Sequence, residues 1–234
     1  MKTLAIFGAG PGLGISTARR FGKEGYRIAL VSRNADRLKS FVDDLAAEGI
    51  SAEAFPANLA DISAHTALVE AIGDIDVAVI NGYLDYEALR PTLDIDVESL
   101  RSALEGVTLA PLSLTRLLLP RLLEQGDGGL LYGLGSSSKD PIPQLATPGA
   151  AQASLRNYVL NLHVALADKG IYAGALTLGV LIERSDAQRM FDSMPEASYG
   201  LQPHRSEPDD LAELYWDLYT RRDRAEQVVV GPLE

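Results

Sequence analysis

The sequence contains no cysteine, which excludes a disulfide framework, a cysteine zinc site and a thiol nucleophile. Its three histidines, His65, His163 and His204, are scattered without ligand spacing, so no metal site is expected. Basic residues are in deficit: 21 Lys and Arg stand against 32 Asp and Glu, a formal net charge of −11. That balance argues against nonspecific nucleic-acid binding and reads as a solubilising charge. No stretch approaches the roughly 20 apolar residues of a membrane span. The opening MKTLAIFGAG enters a glycine turn without the length or cleavage pattern of a signal peptide. The expectation is a cytoplasmic protein with neither a nucleic-acid nor a membrane partner.

What is present is an ordinary globular composition, 47% hydrophobic and 23% charged over 234 residues. That length suits one α/β domain, for which about 250 residues is still common, and it buries a large core without staples. No repeat, low-complexity tract or linker divides it, so 1–234 is expected to form a single domain. Strand-length apolar runs alternate with helix-length amphipathic stretches. Strands are expected at Leu4–Phe7, Arg27–Val31, Ala52–Phe55, Val77–Ile80, Gly129–Leu134, Tyr172–Leu178 and Gln227–Val230. Helices are expected at Gly14–Lys23, Ala35–Glu48, Ser63–Ile72, Val97–Glu124, Ala150–Lys169 and Asp209–Thr220. Asp96 is a candidate N-cap for the long fourth helix, and Pro111 and Pro120 predict kinks within it. Glu183–Ser206 reads as polar and irregular. The alternation predicts an α/β fold: a doubly wound parallel sheet, Rossmann-like, of about seven strands with helices on both faces. Continuous apolar runs such as VAVI fit strands covered on both sides.

The first turn reads Gly8-Ala9-Gly10-Pro11-Gly12-Leu13-Gly14 and lies between a strand and a helix. Glycines there let the backbone turn tightly and approach a pyrophosphate, which the helix N-terminus favours through its N–H groups and dipole. The spacing is G-x-x-x-G-x-G. Leu13 stands where G-x-G-x-x-G would require glycine. Dinucleotide sites that take NAD place a carboxylate at the end of the second strand to hold the ribose 2′-hydroxyl. Here that place holds Ser32-Arg33-Asn34, with no carboxylate to repel a 2′-phosphate and an arginine to pair with it. The expected cofactor is NADP(H).

Gly8, Gly12-Leu13-Gly14 and Ser32-Arg33-Asn34 together resemble the short-chain dehydrogenase/reductase family, and the resemblance covers almost the whole chain. Asn58-Leu59 stands at the family's adenine-contacting loop. Asp76–Gly82 is similar to its fourth strand and Asn-Asn-Ala-Gly turn. Leu178-Gly179 resembles its Pro-Gly turn. The resemblance implies a seven-stranded sheet and a substrate lid, here near 182–206. It also implies cofactor contacts from Gly8, Gly12, Leu13, Gly14, Ser32, Arg33, Asn34, Asn58, Leu59, Asn81, Gly82, Gln152 and Gly179.

The family's catalytic residues do not carry over. Matched without gaps, its Tyr-x-x-x-Lys pair falls on Pro148 and Gln152, its serine on Gly135 and its asparagine on Val107. No Tyr-x-x-x-Lys occurs anywhere in the sequence. Hydride transfer to a carbonyl leaves an alkoxide that needs a proton. Proline has none to give, and uncharged Gln152 cannot lower a neighbour's pKa, although its amide can hydrogen-bond a ribose hydroxyl. The candidate replacements are Ser136, with Ser137 beside it, and Tyr83 after the fourth strand. Tyr158 and His163, inside a helix, read as packing residues. Three functions remain open: an NADP(H)-dependent oxidoreductase with a remodelled site, a non-catalytic NADP(H)-binding protein, and a non-redox isomerase or cyclase. A small-molecule substrate is implied in the first and third. The helices around Leu112–Leu118 and Leu155–Leu162 are apolar on more than one face, which predicts a homodimer or homotetramer built on that pair.

Overall fold

The computed structural model describes residues 1–81, 89–193 and 200–231. Seven parallel strands form one sheet in the order β3-β2-β1-β4-β5-β6-β9. They are β1 (Thr3–Phe7), β2 (Arg27–Ser32), β3 (Ala52–Pro56), β4 (Val77–Asn81), β5 (Gly128–Gly135), β6 (Ile171–Leu178) and β9 (Glu226–Val229). Alternate residues of each strand serve opposite faces. Leu4 and Ile6 of β1 join a core with α1 (Leu13–Gly22), α2 (Ala35–Ala47) and α8 (Pro208–Arg221). Ala5 and Phe7 join a second core with α3 (His65–Ile72), α5 (Ala110–Gln125) and α6 (Ala146–Leu166). A sheet covered on both faces is the doubly wound architecture the sequence predicts. Because β1 lies between β2 and β4, the strand order reverses there and opens a crevice over the carboxyl ends of the strands.

The long helix expected over Val97–Glu124 forms in three pieces. Asp96 caps α4 (Val97–Leu104) in a reciprocal box with Ser99. A π-helical turn follows over Glu105–Leu109, and α5 then runs on through Pro120. The irregularity therefore falls ahead of Pro111. That residue sits in the first turn of α5, directly after the π-helical turn. The α4–α5 run, Val97–Gln125, is long and apolar enough by composition to cross a membrane, which the sequence reading did not anticipate. Its apolar surface is used within the fold, since Leu114, Leu118 and Leu122 pack onto the sheet.

The stretch expected to be irregular has structure of its own. Leu181–Ile182 (β7) and Arg205–Ser206 (β8) pair as a short parallel ladder, and α7 (Asp186–Ser193) lies between them. Leu181 N–H donates to the His204 carbonyl at 2.8 Å and Glu183 N–H to the Ser206 carbonyl at 2.9 Å, so both ends of the excursion are tied at its base. Arg205 adds ion pairs to Glu183 and Asp192.

The outer strand β9 is held by more than its ladder with β6. Arg156 of α6 donates two hydrogen bonds to the Glu226 carboxylate, at 2.7 and 2.6 Å, and Thr177 Oγ1 donates a third at 2.6 Å. Burial resists ionisation of Glu226, but the bonds from Arg156 and Thr177 prevail and hold its carboxyl below the ordinary range. A lowered carboxyl pKa stabilises the fold above the unfolded value, about 4.3, and that contribution fades as pH falls through the folded value. Glu226→Gln is expected to cost about 1.5–3 kcal/mol at pH 7. In urea denaturation followed by circular dichroism, the gap from the parent protein closes below about pH 4. An equal gap at both pH values contradicts this.

Candidate functional site

The glycine loop follows β1 into α1. Gly8 has φ +91°, a region other residues rarely adopt, and a Cβ there would lie 3.0 Å from the Asn81 carbonyl oxygen. Its N–H and that of Ala9 both donate to the Val31 carbonyl at 2.9 Å, which ties the loop to the end of β2. A Cβ on Gly14 would come within 2.9 Å of Ala9 Cα, so glycine lets the helix start close against the strand. Gly12 faces the base of the excursion, where Ser185, Glu183 and Ile182 would crowd a side chain at 3.1–3.2 Å. Gly10 has open space where a Cβ would be. Leu13 opens α1 and is buried, an anchor for the loop.

At the end of β2, Ser32 Oγ is buried and, among the described residues, has no hydrogen-bond partner. Arg33 is exposed beside it. Asn34 caps α2 instead of reaching outward: its Oδ1 accepts from Arg37 N–H at 2.9 Å. Arg37 in turn pairs at 2.6 Å with Asp186 of α7, bridging the nucleotide side of the sheet and the excursion. Both side chains are partly exposed, and such a pair contributes about 0–1 kcal/mol. Asn58 Oδ1 accepts from Ala60 N–H at 3.2 Å, a local turn. Leu59 is buried, and its carbonyl lies 3.0 Å from His65 Nε2. The His65 ring thereby docks this loop on α3, with Ser113 Oγ at 3.0 Å on its other nitrogen.

Asn81 closes β4. Tyr215 of α8, fully buried, donates to its Oδ1 at 3.3 Å. Burial pushes the Tyr215 hydroxyl pKa up, so it stays a neutral donor. Sequence patterns gave no sign of this support, because Tyr215 lies far along the chain on an amphipathic helix. Gly82 and Tyr83 lie outside the described residues.

Beyond the end of β5 lies a cavity of about 450 Å³. Its floor carries Gly135, Ser136, Ser137, Pro148 and Gln152, and α7 covers it with Met190 and Phe191. Among the described residues, no ionisable side chain lines it. Pro148 is buried in the first turn of α6, which begins one turn before the expected Ala150 because proline is well placed where N–H groups have no helical partner. Gln152 stands one turn further on, and its Oε1 accepts from Gly135 N–H at 2.7 Å. A Cβ on Gly135 would lie 2.8 Å from that oxygen, so the glycine and the glutamine fit each other. Gly179 is fitted likewise: a Cβ there would meet Ser136 Oγ at 2.7 Å. Val107 is buried in the π-helical turn against Ala103 and Ala151. Tyr158 and His163 are part of the packing, as expected. Tyr158 lies against the second core, and His163 Nδ1 is 2.8 Å from the Ala173 carbonyl. The structure thus gathers Ser136, Gln152 and Gly179 in one place, and the glycine loop, Ser32 and Asn81 along the adjoining crevice.

The profile of the short chain dehydrogenase family matches residues 2–192. The chain belongs to that family. Among other short-chain dehydrogenases and related proteins, dehydrogenase/reductase SDR family protein 7-like of Drosophila melanogaster is 24% identical over 234 residues, 95% of this chain and 71% of the relative. Serine 3-dehydrogenase of Agrobacterium fabrum is 28% identical over 225 residues, 92% and 86% of the two chains. The NADPH-bound structure of a short chain oxidoreductase from Pseudomonas aeruginosa PAO1, described as containing an atypical catalytic center, superimposes with a TM-score of 0.83 at 18% identity, covering 98% and 95%. At that identity the likeness is one of fold.

The mutual fit of Gly135 and Gln152 in this short-chain dehydrogenase predicts non-additive energetics. Gly135→Ser alone is expected to destabilise by about 1–3 kcal/mol through overpacking. Adding Gln152→Ala to it is expected to cost less than the sum of the two single changes, as measured in a double-mutant cycle of urea midpoints. Strict additivity contradicts the contact.

Proposed function

We propose that this short-chain dehydrogenase is an NADP(H)-dependent oxidoreductase with a remodelled active site that lacks the family's tyrosine proton donor. The observation that carries this is the floor of the cavity. Buried Pro148 and neutral Gln152 occupy α6 there, and Gln152 is bonded to Gly135. No residue on that floor gives up a proton near neutral pH.

The residues of the crevice fit a dinucleotide. The loop offers an open Gly10, close backbone approaches at Gly8 and Gly14, and the positive dipole end of α1. The orphaned Ser32 Oγ is a buried group in want of a partner, as a ribose or its phosphate would supply. In this reading Gly8, Gly12, Leu13 and Gly14 cradle the pyrophosphate. Ser32 and Arg33 take the 2′-phosphate, and Asn34 holds the α2 start beside them. Asn58 and Leu59 border the adenine. Asn81, Gly82 and Gly179 border the nicotinamide half. When bound, NADPH supplies a hydride. Ser136, with Tyr83 as the second candidate, donates a hydrogen bond to the ligand's polar group, and the proton that completes reduction comes from a water molecule held in the cavity. Segment 182–206 serves as the substrate lid of a single domain. The absence of ionisable groups among the described lining residues also supports a second reading, a non-catalytic NADP(H)-binding protein.

The chain is further proposed to associate as a homodimer or homotetramer through α5 and α6, which leave Leu123 and Val164 exposed, with Leu109 of the π-helical turn beside them in sequence. Light scattering at micromolar concentration is expected to give a multimeric mass, and a monomeric mass contradicts it. For the cofactor, Arg33→Ala is expected to weaken NADPH binding by about tenfold to hundredfold and to leave NADH binding nearly unchanged in calorimetric titration. Tighter binding of NADH than of NADPH by the parent protein contradicts NADP(H) use.

A further inference from the structure

We infer that Gln152 is the positioning residue of the cavity: its amide NH₂ holds the acceptor oxygen of a neutral, largely apolar ligand rather than a ribose hydroxyl of the cofactor. The inference rests on the pocket being the substrate pocket proposed above. A side-chain amide has one acceptor end and one donor end, and the two are normally interchangeable by rotation. Here they are not. Gly135 N–H can only donate, so the atom 2.7 Å from it is the carbonyl oxygen Oε1. That bond fixes the amide plane and leaves the NH₂ as the end free to serve a ligand. Among the described residues, it has no hydrogen-bond partner.

The walls around it are mostly apolar. Leu89, Ile142, Leu145, Leu178, Met190 and Phe191 line the cavity of about 450 Å³, and Gln202 adds a second neutral amide. Burying a charge against such walls without a counter-charge is far more costly than burying a neutral group. Among the described lining residues none carries a charge to offset it. A neutral oxygen acceptor, by contrast, finds an oriented donor in Gln152 and rotating hydroxyls in Ser136 and Ser137. An acceptor buried there without a donor loses its hydration with nothing in exchange, so the amide selects ligands by where their oxygen lies. Gly135 belongs to the same device, because a side chain at that position would push the amide out of line.

The test uses the full chain, alone and saturated with NADPH, and three probes of similar length: 2-nonanone labelled with ¹³C at the carbonyl, octanoate and octylammonium. Nonanone is expected to bind at least about tenfold more tightly than either ion. Its carbonyl resonance is expected to move downfield on binding, as hydrogen-bonded carbonyls do. Gln152→Glu keeps an acceptor for Gly135 N–H, so the fold is retained, but it removes the donor. It is expected to weaken nonanone about tenfold and abolish the downfield shift while NADPH affinity changes little. Gln152→Met is expected to lose the downfield shift as well. An unchanged shift and affinity in both variants overturns the inference, as does octanoate binding as tightly as nonanone. A loss confined to NADPH affinity also overturns it, by placing Gln152 on the cofactor. If the parent chain binds nonanone with these properties but does not bind NADPH, the cofactor assignment fails and the role of Gln152 stands.

Discussion

The site depends on how closely β1, β4 and β5 approach one another at their carboxyl ends. Asn81 is wedged there between two glycines. A side chain on Gly8 would press on its backbone, and one on Gly133 would collide with its amide and with the Tyr215 hydroxyl. Such interiors have little room to relax, so the turn after β1 and the end of β4 are held in one arrangement. Tyr215, reaching up from α8, holds the asparagine on the face of the sheet that α1 and α8 cover. The glycine loop lies on one side of this wedge and the cavity on the other, which is what makes the two halves of the site a single crevice.

Within that crevice the two halves follow different chemistry. The nucleotide side retains what phosphate binding requires: a tight loop, a helix N-terminus and a buried hydroxyl awaiting a partner. The cavity side has no ionisable group among its described lining residues and carries a fitted pair, Gly135 and Gln152. A glutamine donates hydrogen bonds but yields no proton at neutral pH, so this floor can orient and polarise a ligand without acting as a general acid. The excursion over the cavity is tied at its base by β7 and β8 and to α2 by Arg37 and Asp186, which links the cover of the cavity to the nucleotide side.

The sheet and its helices could be read from the sequence because their signals are local. The runs LAIF and IALV are apolar throughout, as strands buried on both faces must be, and Asp96 marks a helix start by its own side chain. Pro148 and Gln152 could be placed through the family resemblance, because the gapless match sets them at the motif's two positions, one helical turn apart. What escaped depends on partners distant in sequence. The bond from Gln152 to Gly135, the support of Asn81 by Tyr215 and the ladder between β7 and β8 join segments with no pattern in common. The π-helical turn was likewise hidden: proline suggested a kink, and the irregularity lies ahead of Pro111 instead. Asn34 was expected to face the cofactor, but a local bond to Arg37 N–H engages its side chain first.

The central claim is that the chain has kept a dinucleotide crevice and given up the proton donor beside it. A single-turnover experiment tests both halves: the protein is saturated with NADPH, mixed with 2-nonanone and followed by loss of nicotinamide absorbance. The account predicts saturable NADPH binding with ketone reduction about 10²–10⁴-fold slower than in a tyrosine-bearing short-chain dehydrogenase, the usual worth of a general acid. Reduction as fast as in such a relative, and unaffected by Ser136→Ala and Tyr83→Phe, would contradict it.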